Sequence, residues 1–249
     1  MEALFRSHAL GDGDRASFDR DGHLALPGLL TDEACDKLTQ ALARVQALQH
    51  DDPEYVPNRY AAEFNPYLES LIGHPHLLAL VRWVLGEEIR YDHCVALNRP
   101  GGNGGANWHS HEYGEDDPRL GFIRVFFYVN GFEPDDGGLK VVRGSHLYRD
   151  AGIRASSNAE LEAGWMEGKT HPLTGEALTT EGLSVPKGSV VLMWTHAAHG
   201  VTPRRAGSST RWCVVYAYRN PGRVSEARWI SESFEQKAIQ GAEGLMSLY

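Results

Sequence analysis

Short β-branched and aromatic runs separated by dense glycine and proline turns predict a mainly β protein with flanking helices, built as a sandwich or barrel. The clearest run is 120–129, which contains Ile123, Val125, Phe126, Phe127 and Tyr128 and reads as a buried strand. A second observation agrees with it. His109 and His111 stand two apart, and side chains two apart on a strand share a face, so both can serve one metal ion. His199 is a third such histidine far along the chain, and only the pairing of distant strands would bring it to the first two.

The elements follow in chain order. Thr31, Asp32 and Glu33 open a helix whose apolar stripe is Ala34, Leu38, Leu42, Val45 and Leu48. Its purpose is packing. Residues 49–67 mix Asp51, Tyr55, Asn58, Arg59, Tyr60 and Phe64 without periodicity and suit an active-site wall or a solvated loop. His74 and Pro75 start a second helix that runs through Leu77, Leu78, Val81, Val84 and Leu85 to a stop at Gly86. A strand over 89–97 then leads into a glycine-rich loop, Arg99 to Gly105, immediately before the histidine pair. No helix follows these glycines, which removes phosphate-cradle and dinucleotide readings.

After the strand 120–129, the turn Glu133 to Gly138 precedes a short strand over 139–142 and the tight segment Arg143 to His146. Residues 150–183, with Trp165, Met166, Lys169 and His171, interrupt the β pattern and suit a lid or a connecting loop. Pro186 to Ser189 turns the chain into a strand over 190–195, which leads to His196 and His199. A last strand covers 211–218. Trp108 reads as core, and Tyr113 and Arg124 are candidates to face the pocket.

With these residues in view, the chain resembles the phytanoyl-CoA dioxygenase family of iron(II)- and 2-oxoglutarate-dependent oxygenases. The likeness begins at 18–30, which looks like the family's opening strand, and extends to about Tyr218. It includes Trp108-His109, the block from Gly137-Gly138-Leu139 to Gly144-Ser145-His146, His199-Gly200 and Arg211. The resemblance implies a double-stranded β-helix, or jelly roll, holding iron in a facial triad. It also implies an arginine that pairs with the far carboxylate of 2-oxoglutarate. His109 and His199 match the family's two metal histidines, and Arg211 matches the arginine. His199-Gly200 fits this pattern better than His196 does, and His146 reads as a structural hydrogen-bonding group. Asn98 and Thr202 are candidate 2-oxoglutarate contacts that could equally satisfy local backbone groups.

One position departs from the family. Where the pattern has H-x-D, this chain has His109-Ser110-His111. Three arrangements fit. His111 coordinates, giving a three-histidine site; Glu112 or Asp116 supplies the carboxylate; or the position stays open, as a small residue leaves room for chloride in related halogenases. The bulk of imidazole opposes the third, and Glu112 would face away on a continuing strand, so three histidines are preferred. Three neutral imidazoles, iron(II) and dianionic 2-oxoglutarate sum to a neutral complex, whereas an aspartate would make it anionic.

The expected activity is therefore hydroxylation of a small molecule with dioxygen and 2-oxoglutarate. A three-histidine metalloenzyme independent of 2-oxoglutarate, whether oxygenase, lyase or hydrolase, is the alternative, because such a site also suits zinc. A third reading is a binding module without catalysis. Arg211 favours the first, since a buried cation beside the metal calls for an anion.

Length and composition set outer limits. With 249 residues, 42% of them hydrophobic, the chain suits one domain over 1–249 with its core at about 18–218. A net charge of -9 and the lack of a lysine or arginine cluster argue against nucleic acid. No apolar stretch approaches a membrane span, and 1–14 lacks the apolar centre of a signal peptide. Cys35, Cys94 and Cys213 show no paired spacing, which points to buried thiols in the cytoplasm.

Overall fold

Thr31 caps the helix the sequence announces: its Oγ1 accepts from the Ala34 N–H at 3.1 Å, and the helix runs Asp32–Ala47. In this computed structural model, which describes residues 3–111, 120–222 and 228–247, that helix is α2. It follows α1 (Asp12–Asp21) and precedes α3 (Pro66–Ser70) and α4 (Pro75–Leu85). Ala34, Leu38, Leu42 and Val45 are buried as the stripe requires, but Leu48 is 44% exposed. It lies past the last helical turn, where the backbone is already extended, so its side chain leaves the stripe. In α4 proline occupies the first turn, and Gly86 at φ 78° ends the helix.

The opening segment 18–30 is not one strand. Its first residues finish α1, Gly22 turns the chain at φ 85°, and only His23–Leu26 forms a strand, β1. A side chain at Gly22 would collide with the His146 ring, so glycine is required there for both its conformation and its size.

Two five-stranded antiparallel sheets follow from the remaining apolar runs. The major sheet places β1 beside β8 (Ser189–Trp194), then β4 (Phe122–Tyr128), β10 (Cys213–Arg219) and β2 (Arg90–Ala96). The minor sheet has the order β6 (Arg154–Ala155), β3 (Ala106–His109), β9 (His199–Val201), β5 (Leu139–Val142) and β7 (Thr180–Gly182). Strands adjacent in space are distant in sequence, which is the jelly-roll arrangement.

Every residue of β4 is buried because both of its faces are covered. Ile123, Val125 and Phe127 pack toward the helices, whereas Phe126 and Tyr128 join Val141, Val191 and Val215 between the sheets. Residues 150–183 supply both edge strands of the minor sheet, with α5 (Asn158–Ala163) between them. Ile153, Leu161 and Met166 pack there on Trp108. Among the described residues no helix is long and apolar enough to cross a membrane.

Candidate metal and 2-oxoglutarate site

The glycine loop sets the metal strand. Gly105 has φ 81°, and a side chain there would strike the Val201 carbonyl, so glycine permits β3 to lie against β9. In that ladder His109 stands directly opposite His199. β3 ends at His109, and the chain is then held by the His111 N–H, which donates to the Thr195 carbonyl at 3.3 Å. Ser110 points the other way, buried, with its hydroxyl donating to the Asp150 carbonyl at 2.6 Å. The alternation turns both histidines to one side.

The three rings converge. Centroids are 4.2 Å apart for His109 and His199, 4.8 Å for His109 and His111, and 5.2 Å for His111 and His199. One ring nitrogen from each lies within 4.8 Å of the others. Nδ1 of His109 faces the Asn107 carbonyl at 2.8 Å and Nδ1 of His199 faces the Ala197 carbonyl at 2.8 Å. A carbonyl only accepts, so both Nδ1 atoms carry the proton and both Nε2 atoms present a lone pair, the orientation that metal-binding histidines adopt. Burial lowers the pKa of all three, with His111 and His199 well below the ordinary range. Arg124 adds to the effect on each, which keeps the cluster neutral and ready to ligate. The residues present therefore fit a divalent metal. Glu112, Tyr113 and Asp116 lie outside the described residues.

Arg211 is 1% exposed. Its Nη1 donates to the Gly137 carbonyl, its Nη2 reaches the Leu97 carbonyl at 3.4 Å, and its Nε has no partner. Tyr128 lies beneath, with 5.3 Å from ring centroid to Cζ. A second arginine stands next to it. The backbones of Arg99 and Arg211 exchange N–H···O bonds of 3.0 and 2.8 Å. Arg99 Nη1 donates to Asn103 Oδ1 at 2.7 Å and the Gly105 carbonyl at 2.8 Å. Burial, followed by the charge of Arg211, lowers the Arg99 pKa. A buried guanidinium beside a half-buried one, with no carboxylate against them among the described residues, forms a receptor for an anion. Arg99 also bonds the Gly105 carbonyl immediately before β3, the strand that carries His109.

The other sequence candidates have distinct places. Asn98 Nδ2 donates to the Leu42 carbonyl at 3.4 Å, and its Oδ1 has no partner. The Thr202 hydroxyl accepts from the Gly138 N–H and donates to the Pro134 carbonyl, both at 2.8 Å. It thereby braces the turn whose Gly137 carbonyl receives Arg211. His196 is not in the metal cluster; its ring lies 6.4 Å from that of His146, whose Nε2 donates to the Asp19 carbonyl at 3.0 Å.

The sequence singled out Arg124 as a pocket candidate but passed over Asp92 and His93. Arg124 is 6% exposed in the middle of β4, with Nε donating to Thr195 Oγ1 at 3.0 Å. Asp92 and His93 are buried in β2. Their signal was present, since an arginine or an acid–histidine pair inside an apolar strand rarely has only packing to do.

The sequence pattern of the phytanoyl-CoA dioxygenase family matches residues 18–211. No curated protein matches. Among solved structures, apo HygX from Streptomyces hygroscopicus superposes with a TM-score of 0.63 at 17% identity, covering 93% of this chain and 96% of its own. SnoK, a non-haem α-ketoglutarate-dependent carbocyclase from nogalamycin biosynthesis, gives 0.67 at 15% identity, with 92% of each chain covered. AviO1 from Streptomyces viridochromogenes gives 0.63 at 20% identity, covering 89% and 98%. At these identities the structural likeness establishes the fold.

Proposed function

The chain belongs to the phytanoyl-CoA dioxygenase family and is a non-haem iron(II)- and 2-oxoglutarate-dependent oxygenase; we propose that His109, His111 and His199 hold its iron, that Arg211 with Arg99 anchors 2-oxoglutarate, and that it hydroxylates a small molecule. The observation that carries the proposal is the pairing of a three-histidine cluster with the buried Arg211 and its half-buried neighbour Arg99. When bound, iron with 2-oxoglutarate and dioxygen supplies oxidation of a substrate C–H bond coupled to formation of succinate and carbon dioxide.

The chain's own residues arrange this chemistry. The carbonyls of Asn107 and Ala197 fix the Nδ1 protons of His109 and His199 and so aim both Nε2 lone pairs. Arg211 and Arg99 receive the far carboxylate, and Tyr128, packed under Arg211, excludes water from that contact. Thr202 holds the turn beside Arg211, and Asn98 Oδ1 is a further polar group at the end of β2. Arg124, buried on the opposite sheet, disfavours protonation of all three imidazoles and so keeps their lone pairs available.

HygX has been crystallised with nickel, 2-oxoglutarate and hygromycin B bound, at 18% identity to this chain. It supports a small-molecule substrate. Residues 150–183 border the site, because Arg154 in β6 donates to the Ser110 carbonyl at 2.8 Å and acts on His109 and His199. We propose that 1–249 is one domain in which this segment flanks the site, its edge strands built into the minor sheet. Three buried free thiols suit the reducing cytoplasm.

The reading is tested by supplying iron(II), 2-oxoglutarate and air and measuring succinate. Iron-dependent succinate release that stops on chelation supports it. A protein that retains metal without releasing succinate would instead be the metalloenzyme independent of 2-oxoglutarate, and one that retains neither would be a binding module.

A further inference from the structure

The major sheet carries a polar row opposite the histidines. Arg124 in β4 pairs in register with Ala217 in β10, and Ala217 pairs with His93 in β2. Arg124 and His93 therefore lie two strands apart, about 9.5 Å between backbones, with only a methyl group between them. Their side chains face the space between the sheets: Val95, two residues after His93, and Phe126, two after Arg124, both belong to the inter-sheet core. A β-bulge after Ala217 inserts Asp92 as an extra residue, and this irregularity lets two neighbouring side chains meet. His93 Nδ1 lies 2.6 Å from Asp92 Oδ1.

A carboxylate accepts, so Nδ1 carries the proton and Nε2 is left as an acceptor. His93 is 1% exposed, and its Nε2 is buried without a hydrogen-bond partner. A buried acceptor with no donor is unfavourable unless something else satisfies it. At Arg124, Thr195 takes Nε, which leaves its other N–H groups as donors on the same face. Asp92 and Arg124 place an acid and a base in the same row, and Arg228 also acts on His93. The His93 ring is flanked by Trp229 at 5.4 Å and Phe122 at 6.4 Å, and Trp229 is only half-buried.

We propose that Asp92, His93 and Arg124 form the substrate subsite of this oxygenase and take an uncharged, polyhydroxylated ring, with one hydroxyl donating to His93 Nε2 and another oxygen accepting from Arg124. The apolar C–H side of such a ring packs beside Trp229, over whose ring the Arg59 guanidinium lies at 5.5 Å. An anionic substrate would gain from Arg124 but meet Asp92, and it would leave the His93 acceptor without a donor. The assignment rests on the oxygenase reading, because it places the ring beside the iron.

The test uses anaerobic protein loaded with nickel(II) and 2-oxoglutarate, titrated calorimetrically with methyl β-D-glucopyranoside and, separately, with cyclohexanecarboxylate. The glucoside should bind at least tenfold more tightly. His93→Ala should weaken it tenfold or more without changing 2-oxoglutarate binding. Asp92→Asn should do the same with the ring retained, because an amide donating to Nδ1 moves the imidazole proton to Nε2. Thermal melts establish that each variant is folded, and His93→Gln, which keeps an acceptor, should recover part of the affinity. Tighter binding of the carboxylate, no glucoside binding, or equal glucoside binding by wild type and both variants would overturn the proposal. Failure of wild type to bind 2-oxoglutarate would instead count against the oxygenase reading, and glucoside titration of the metal-free protein then decides the subsite alone.

Discussion

Replacing His109 or His199 by alanine removes one of three neutral nitrogens that the β3–β9 ladder holds together. Either change should abolish iron retention by elemental analysis while the circular dichroism spectrum stays intact. His111 separates the three readings of the departure from H-x-D. If it coordinates, His111→Ala loses iron affinity, whereas His111→Asp keeps metal but turns over substrate poorly, since the surroundings are shaped for imidazole. Full iron content and activity in His111→Ala would remove it from the ligand set. At the other end of the site, Arg211→Ala should weaken 2-oxoglutarate about ten- to a hundredfold, the worth of a charge-assisted contact of about 1.5–3 kcal/mol. Arg99→Ala should have an effect of the same sign. The charge-transfer band of the anaerobic iron complex measures both. His109 and His199 were legible in the sequence because each sits in a recognisable pattern, and Arg211 was singled out there as the candidate cosubstrate arginine. Arg99 was not, since only the antiparallel bridge to Arg211 gives it a role. Asp92 and His93 stand out in the sequence as an acid–histidine pair in an apolar strand, but only the bulge lets their side chains meet.

The strands and helices were legible where an apolar pattern met a clear stop. Thr31, Pro75 and Gly86 mark helix ends by capping chemistry, and β4, β5, β8 and β10 fall within a few residues of the apolar runs. Two elements were hidden for physical reasons. The end of α1 is polar apart from Phe18, so no stripe distinguishes it from the strand after Gly22. β6 and β7 are edge strands of two and three residues, too short for alternation to register. The element on which most depends is β4, which carries Arg124 on one face and closes the core on the other. Phe127 is fully buried and meets Phe5 edge-on at 5.8 Å. Phe127→Ala should cost about 3–5 kcal/mol in urea unfolding, as expected for an aromatic cavity in a core. A loss below about 1 kcal/mol would mean that this face of the sheet is not the packed one.

Over the whole molecule, buried histidines couple the fold to pH. Burial pushes His146 down to about 4 and His196 down to about 3. Each folded value lies below the unfolded value near 6.5, so the unfolded chain binds more protons as pH falls. Stability is fully present above pH 6.5 and is lost through the window toward pH 4. Between pH 6.5 and 5 the loss is about 2 kcal/mol for each such histidine, and the melting temperature of metal-free protein should fall by roughly 5 °C or more. A melting temperature that is flat or rising over that range would contradict the burial of these rings. The closure of two sheets around the site was legible as a fold class, because many short strands leave few other ways to bury both faces. The measurement that bears most directly on the central claim is an anaerobic crystal structure with iron(II) and 2-oxoglutarate. It should show one iron on nitrogens of His109, His111 and His199, with the far carboxylate of 2-oxoglutarate against Arg211 and Arg99. Iron held without His111, or 2-oxoglutarate bound away from both arginines, would contradict the account.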